Sequence, residues 1–195
     1  MRSLLSTYAK YSGCGNSFVL IDNRDGHFFP ESAVIQALSY QENVDGVILL
    51  CPSIKSDFRM RIFNADGSEA EMCGNGVRCL MRFITDLQPT ITACTLETLA
   101  NEVHAAVVGD QVKVGMPRPI HFRLHQTVEG FSLHFVNTGV PHAVIFVENL
   151  EDPAWMVHAP SIRHHACFSP HGANVNFVQV QRDEVWVRTY ERGVE

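Results

Sequence analysis

The sequence predicts an α+β fold, on three observations. Short apolar or alternating runs of strand length outnumber helical stretches, and they do not alternate with helices as regular βαβ units would. Helical spacing is confined to two stretches, 31–40 and 74–86. A weak internal repeat links the two halves.

The elements follow in order. Phe18-Val19-Leu20-Ile21 is a short apolar strand leaving the Gly13-Cys14-Gly15-Asn16 turn. Residues 31–40 suit a first helix, with Val34, Ala37 and Leu38 on one face. Val47-Ile48-Leu49-Leu50 reads as a strand. From Phe58 to Phe63 the residues alternate, Arg59 and Arg61 facing away from Met60 and Ile62. The second helix, 74–86, carries Val77, Leu80, Met81 and Ile84 on one face, with Leu87 one step further. Strands near 91–96, 102–108 and 111–116 close the first half. Met116-Pro117-Arg118-Pro119 breaks the pattern and marks a domain boundary, giving domains 1–116 and 117–195. Beyond it, strands are expected near 131–136, 143–148, 175–180 and 184–190, with a looser His- and Pro-containing stretch at 151–173.

The repeat lays Gly15-Asn16-Ser17-Phe18 over Gly139-Val140-Pro141-His142, and Arg61-Ile62-Phe63-Asn64 over Arg188-Thr189-Tyr190-Glu191, at nearly equal offsets of 124 and 127 residues. On that register a second Cys-Gly turn is expected about ten residues after Tyr190, beyond Glu195.

Composition narrows the function. Of 195 residues, 46% are hydrophobic, enough for a sizeable core. A net charge of −6 and the lack of a basic run argue against nucleic acid as a partner. No apolar run approaches the length of a membrane span. The six cysteines (14, 51, 73, 79, 94 and 167) show no CxxC pairing, which favours reduced thiols and a cytoplasmic setting.

The chemistry concentrates in Asn64-Ala65-Asp66-Gly67-Ser68-Glu69-Ala70-Glu71-Met72-Cys73-Gly74-Asn75-Gly76. Cys73 stands at the mouth of a Gly/Asn-rich turn that opens the second helix. Backbone N–H groups there have no intrahelical partner, so the Cys73 thiolate, a substrate carboxylate or both would be favoured, with a thiol pKa below the ordinary value. Such a thiolate can attack an acyl carbon or remove a proton; alternatively Cys73 is a small buried hydrophobe. Cys79 falls about 240° around the helix and reads as core. His142 reads by position as a turn histidine. The segment from His164 to His171 matches no familiar zinc spacing and reads as a solvated loop rather than a metal site. Glu191-Arg192, at a strand end, could grip an ammonium and a carboxylate, or form an exposed ion pair.

These motifs, with Gly13-Cys14-Gly15-Asn16-Ser17-Phe18, Thr138-Gly139-Val140-Pro141-His142, Asn174-Val175-Asn176-Phe177 and Tyr190-Glu191-Arg192-Gly193, resemble diaminopimelate epimerase in order and spacing. The resemblance implies two pseudo-symmetric domains, each a curled mixed β-sheet around a central helix, the second incomplete in this chain. It implies a cofactor-independent, metal-free enzyme that interconverts L,L- and meso-diaminopimelate for lysine and peptidoglycan precursors. Two cysteines, one per domain, would exchange the α-proton, Cys73 being the first. Gly74 and Asn75 would hold the α-carboxylate. Asn16, Asn64, Asn174, Glu191 and Arg192 would contact substrate, and His142 and Glu191 would tune the thiols. A homodimer is compatible with the resemblance.

There are departures. Gly46 stands where many members carry Gln, and Val140 where many carry Asn. The family continues past the Glu-Arg-Gly turn to a second Cys-Gly turn, so this chain is expected not to epimerise by itself. The alternatives are a related racemase or isomerase with another substrate, or a non-catalytic binding fragment.

Overall fold

The computed structural model describes residues 8–170 and 172–191. The chain divides into two compact units, Met1–Met116 and Pro117–Glu195.

In the first unit, β1 (Ala9–Gly13), β2 (Asn16–Asp22), α1 (Ser32–Glu42), β3 (Gly46–Cys51), β4 (Phe58–Asn64), β5 (Glu69–Ala70), α2 (Gly74–Leu87), β6 (Ala93–Glu97), β7 (Glu102–Val108) and β8 (Gln111–Gly115) follow in order. The sheet runs β1-β2-β3-β4-β6-β7-β8, with β5 paired to β4. Strands β2 and β3 are parallel, and Phe18–Ile21 and Val47–Leu50 within them are consecutive buried apolar residues because both faces are covered. On one face Val19, Ile21, Val47, Leu49 and Phe63 pack with Ile35 and Leu38 of α1. On the other, Phe18, Leu20, Ile48, Leu50, Met60 and Ile62 pack with Val77, Leu80, Met81 and Ile84 of α2. Each large apolar side chain so buried contributes about 1.5–3 kcal/mol. Helix α2 stops at Gln88, the residue before Pro89, which is biased away from helical backbone. The buried face of α1 is Ile35, Leu38 and Ser39. The expected face was displaced: Val34 and Ala37 are exposed, since Ile35 rather than Val34 meets the sheet.

The second unit contains β9 (Ile120–Val128), β10 (Phe131–Asn137), β11 (Pro141–Phe146), α3 (Ala154–Arg163), β12 (Asn174–Gln181) and β13 (Glu184–Tyr190), the sheet running β13-β12-β11-β10-β9. The 151–173 stretch is therefore not loose throughout. It holds α3, with Pro160 inside it, and a short 3-10 turn at Ala166–Phe168. Pro160 hid the helix from sequence analysis, since proline removes a backbone donor. Ala159 and Ile162 of α3 pack on Leu133, Phe135, Ala143, Ile145, Val175 and Phe177.

The repeat is structural. In both units an antiparallel hairpin leads through a helix to a parallel neighbour and then to an antiparallel strand: β1-β2-α1-β3-β4 and β10-β11-α3-β12-β13. Phe18 pairs with Gly46, and Gly46 with Asn64. His142 pairs with Asn174, and one step beyond the Val175–Tyr190 pair sets Asn174 opposite Glu191. His142, Asn174 and Glu191 thus take the places of Phe18, Gly46 and Asn64. Among the described residues α2 has no counterpart in the second unit.

Candidate active site

In the first unit the candidate residues gather where β2 and β3 begin and β4 ends. Asp45 N donates to Ser17 O at 2.9 Å, and Ala65 N to Asp45 O at 3.2 Å, which aligns the three strand ends. The Asp45 carboxylate reinforces this by accepting from Ser17 N at 2.7 Å and from its hydroxyl at 3.0 Å. Asn64 lies at the end of β4, its amide donating to Ser68 Oγ at 2.9 Å.

The N-terminus of α2 lies over this sheet end. A Cβ on Gly76 would come within 3.0 Å of Ile48 and Ile62 and within 2.9 Å of Met60, so only glycine lets the helix sit this close. The Gly13 turn sits equally close: a Cβ there would lie 2.9 Å from Cys79 Sγ and 3.1 Å from Asn75 O. Gly74 differs. A Cβ would meet only Arg78 and Met116, at an ordinary 3.6 Å. Packing therefore does not require glycine at 74.

Cys73 is the N-cap of α2, in extended backbone at φ −144° and ψ 117°, and its Sγ accepts from Gly76 N at 3.4 Å. It is half-buried against the main core. The six cysteines form no disulfide. Burial pushes the Cys79 and Cys94 thiols up to about 11, and raises Cys51. Cys14 and Cys167 are exposed.

Next to Cys73 runs a relay with a fixed direction. Arg78 Nη1, which can only donate, reaches Asn75 Oδ1 at 3.3 Å. That orients the Asn75 amide, whose Nδ2 donates to Asn16 Oδ1 at 2.7 Å. The Asn16 NH2 group is the outer end of the relay.

The second unit carries a relay of the same construction. Buried Arg163 donates from Nη1 to Asn174 Oδ1 at 2.9 Å and to Ala173 O at 3.3 Å. Asn174 in turn donates from Nδ2 to Glu191 Oε2 at 3.3 Å. His142 is half-buried at the start of β11, and burial pushes its imidazole below its ordinary pKa. Its Nδ1 lies 3.1 Å from Asn176 Nδ2. Arg192 lies outside the described residues. In the His164–His171 stretch, His165 caps the 3-10 turn, accepting from Cys167 N at 3.3 Å; His171 lies outside the described residues. No group of three His, Cys, Asp or Glu among the described residues is placed to hold a metal ion.

Sequence analysis missed Arg78, Arg163 and Asn176 as organisers of these amides. Asn176 stood inside a quoted motif and Arg78 two residues beyond one, whereas Arg163 carried no local signal.

Comparison with known proteins gives the family. The family model described as diaminopimelate epimerase matches residues 8–122. The diaminopimelate epimerase of Methanothrix thermoacetophila is 43% identical over 209 residues, covering 96% of this chain and 74% of that protein. That of Aquifex aeolicus is 41% identical over 205 residues, covering 95% and 74%. Among solved structures, a PhzF-family phenazine biosynthesis protein of Bacillus anthracis superposes with TM-score 0.65 at 16% identity, covering 94% of this chain and 70% of that one. A hydroxyproline epimerase from Agrobacterium vitis, with bound trans-4-hydroxy-L-proline, gives 0.62 at 16% identity, covering 93% and 67%. These last two share the fold. On the family match and the sequence identity, the chain belongs to the diaminopimelate epimerase family.

Proposed function

We propose that this protein works on diaminopimelate as an epimerase, with Cys73 moving the α-proton. One observation carries the reading: in a member of this family, Cys73 caps α2 with its sulfur on the Gly76 N–H, beside a glycine that packing does not require. A helix N-terminus favours negative charge. The substrate α-carboxylate belongs on the Gly74 and Asn75 amides. As the thiolate removes the α-proton, charge spreads into that carboxylate and the same donors stabilise it. Inversion also needs a proton donor on the opposite face of the carbon, a second thiol in the family reading.

Asn16 and Asn64 supply amide contacts on the first unit, Asn174, Glu191 and Arg192 on the second. Arg78 fixes which end of the Asn75 amide faces Asn16, so the Asn16 NH2 meets a ligand acceptor. Glu191 and His142 set the electrostatics around the reacting thiols. The unbridged cysteines support a cytoplasmic enzyme.

Alkylation footprinting tests the reading without requiring turnover. Saturating L,L-diaminopimelate should protect Cys73 from iodoacetamide and leave Cys14 and Cys167 unprotected. Protection by trans-4-hydroxy-L-proline instead would transfer the reading to a related racemase. Protection by neither would defeat it.

A further inference from the structure

His142, Val144, Asn174, Asn176 and Thr189 share one face of the second sheet, opposite the core residues Ala143, Val175 and Phe177. Asn176 lies across from Thr189 on β13 and Val144 on β11, diagonal to His142. Its Nδ2 is 3.3 Å from Ala143 O and 3.3 Å from Asn174 O. Both are backbone carbonyls, which can only accept. The NH2 end of the amide must therefore face them. The Oδ1 end accepts from the Thr189 hydroxyl at 3.0 Å. His142 Nδ1 lies 3.1 Å from that same NH2 group, so it must accept as well.

We infer that Asn176 is a positioning residue that holds His142 as the neutral tautomer with its proton on Nε2. The inference rests on the proposed function only for its purpose. An imidazole so held offers the site an N–H donor, suited to a carboxylate or a thiolate, and does not shuttle a proton. A hydrogen bond from Asn176 could raise the His142 pKa only if the amide turned its oxygen to the ring, and the two carbonyls prevent that. Burial favours the neutral ring, and a bond donated to Nδ1 acts in the same direction. Ionisable groups linked to this face include His134 on β10, Glu191 beyond β13 and Arg163 of α3, the last two reached through Asn174.

Nitrogen-15 NMR of the histidine rings in the intact chain tests this without substrate. At pH 7 the His142 Nδ1 should resonate as the bare nitrogen and Nε2 as the protonated one. In Asn176→Asp a carboxylate faces Nδ1, and the proton should move to Nδ1 or the ring should become charged. Asn176→Leu, which removes the donor and keeps the bulk, should yield a tautomer mixture. A wild-type ring protonated on Nδ1 would overturn the inference, as would an unchanged tautomer in folded Asn176→Asp. Failure of the protection experiment with this tautomer intact would count against the enzyme reading alone.

Discussion

Asn75 donates from Nδ2 to Asn16 Oδ1 at 2.7 Å, and Arg78 makes that direction obligatory by donating to Asn75 Oδ1. Removing the guanidinium frees both amides to turn. Arg78→Leu should weaken L,L-diaminopimelate binding about tenfold, or about 1.4 kcal/mol, comparable to the loss of a charge-assisted hydrogen bond. Titration calorimetry reads this directly. An unchanged dissociation constant would mean the relay does not orient a substrate contact.

The glycines separate fold from function. Gly46 is buried in β3, and a Cβ there would collide with the Phe63 carbonyl oxygen. Gly46→Ala should cost about 1–3 kcal/mol by overpacking. Gly74→Ala should leave the urea midpoint nearly unchanged and still weaken ligand binding. A Gly74→Ala protein as destabilised as Gly46→Ala would contradict this division.

Cysteine reactivity should sort by environment. With Cys79 and Cys94 pushed to about 11, only about one molecule in a thousand carries either thiolate at pH 8. Cys73 should be alkylated well ahead of both, and ahead of the more exposed Cys14 and Cys167. Peptide mapping after brief iodoacetamide treatment gives the order; Cys73 trailing Cys79 would remove its claim to reactivity.

His142 predicts a pH dependence of stability. Its folded pKa lies below its unfolded value, so the unfolded chain binds more protons between the two. Its contribution is full above the unfolded value, near 6.5, and is lost as pH falls toward the folded one. Asp22, lowered by its hydrogen bond from Arg24, acts the same way in a more acidic window. Urea midpoints at pH 7.5 and 5.5 should differ less in His142→Gln than in the parent chain. An equal difference in both would remove His142 from the account.

Much of this was legible in the sequence because it is local or periodic. The helix after Cys73, the buried β2 and β3 runs and the register linking Asn64 to Glu191 needed only spacing and alternation. What was hidden is non-local. Arg163 of α3 acts through Asn174 of β12, 11 residues on, and Asn176 of β12 acts on His142 of β11, 34 residues back, pairings that α3–β12 and β11–β12 packing create and no motif encodes. Helix α3 was obscured by Pro160. Gly46 read only as a departure from the Gln many members carry, and the structure adds that the Phe63 carbonyl leaves no room for a side chain there.

The central claim is that the Cys73 sulfur moves the α-proton. Incubation with L,L- or meso-diaminopimelate in deuterated water, followed by mass spectrometry, tests it. The account predicts deuterium at the α-carbon with the parent chain and with Cys79→Ala, and at least about 100-fold less with Cys73→Ala, the scale of losing an acid–base catalyst. Incorporation that is undiminished in Cys73→Ala, or absent with all six cysteines in place, would contradict it.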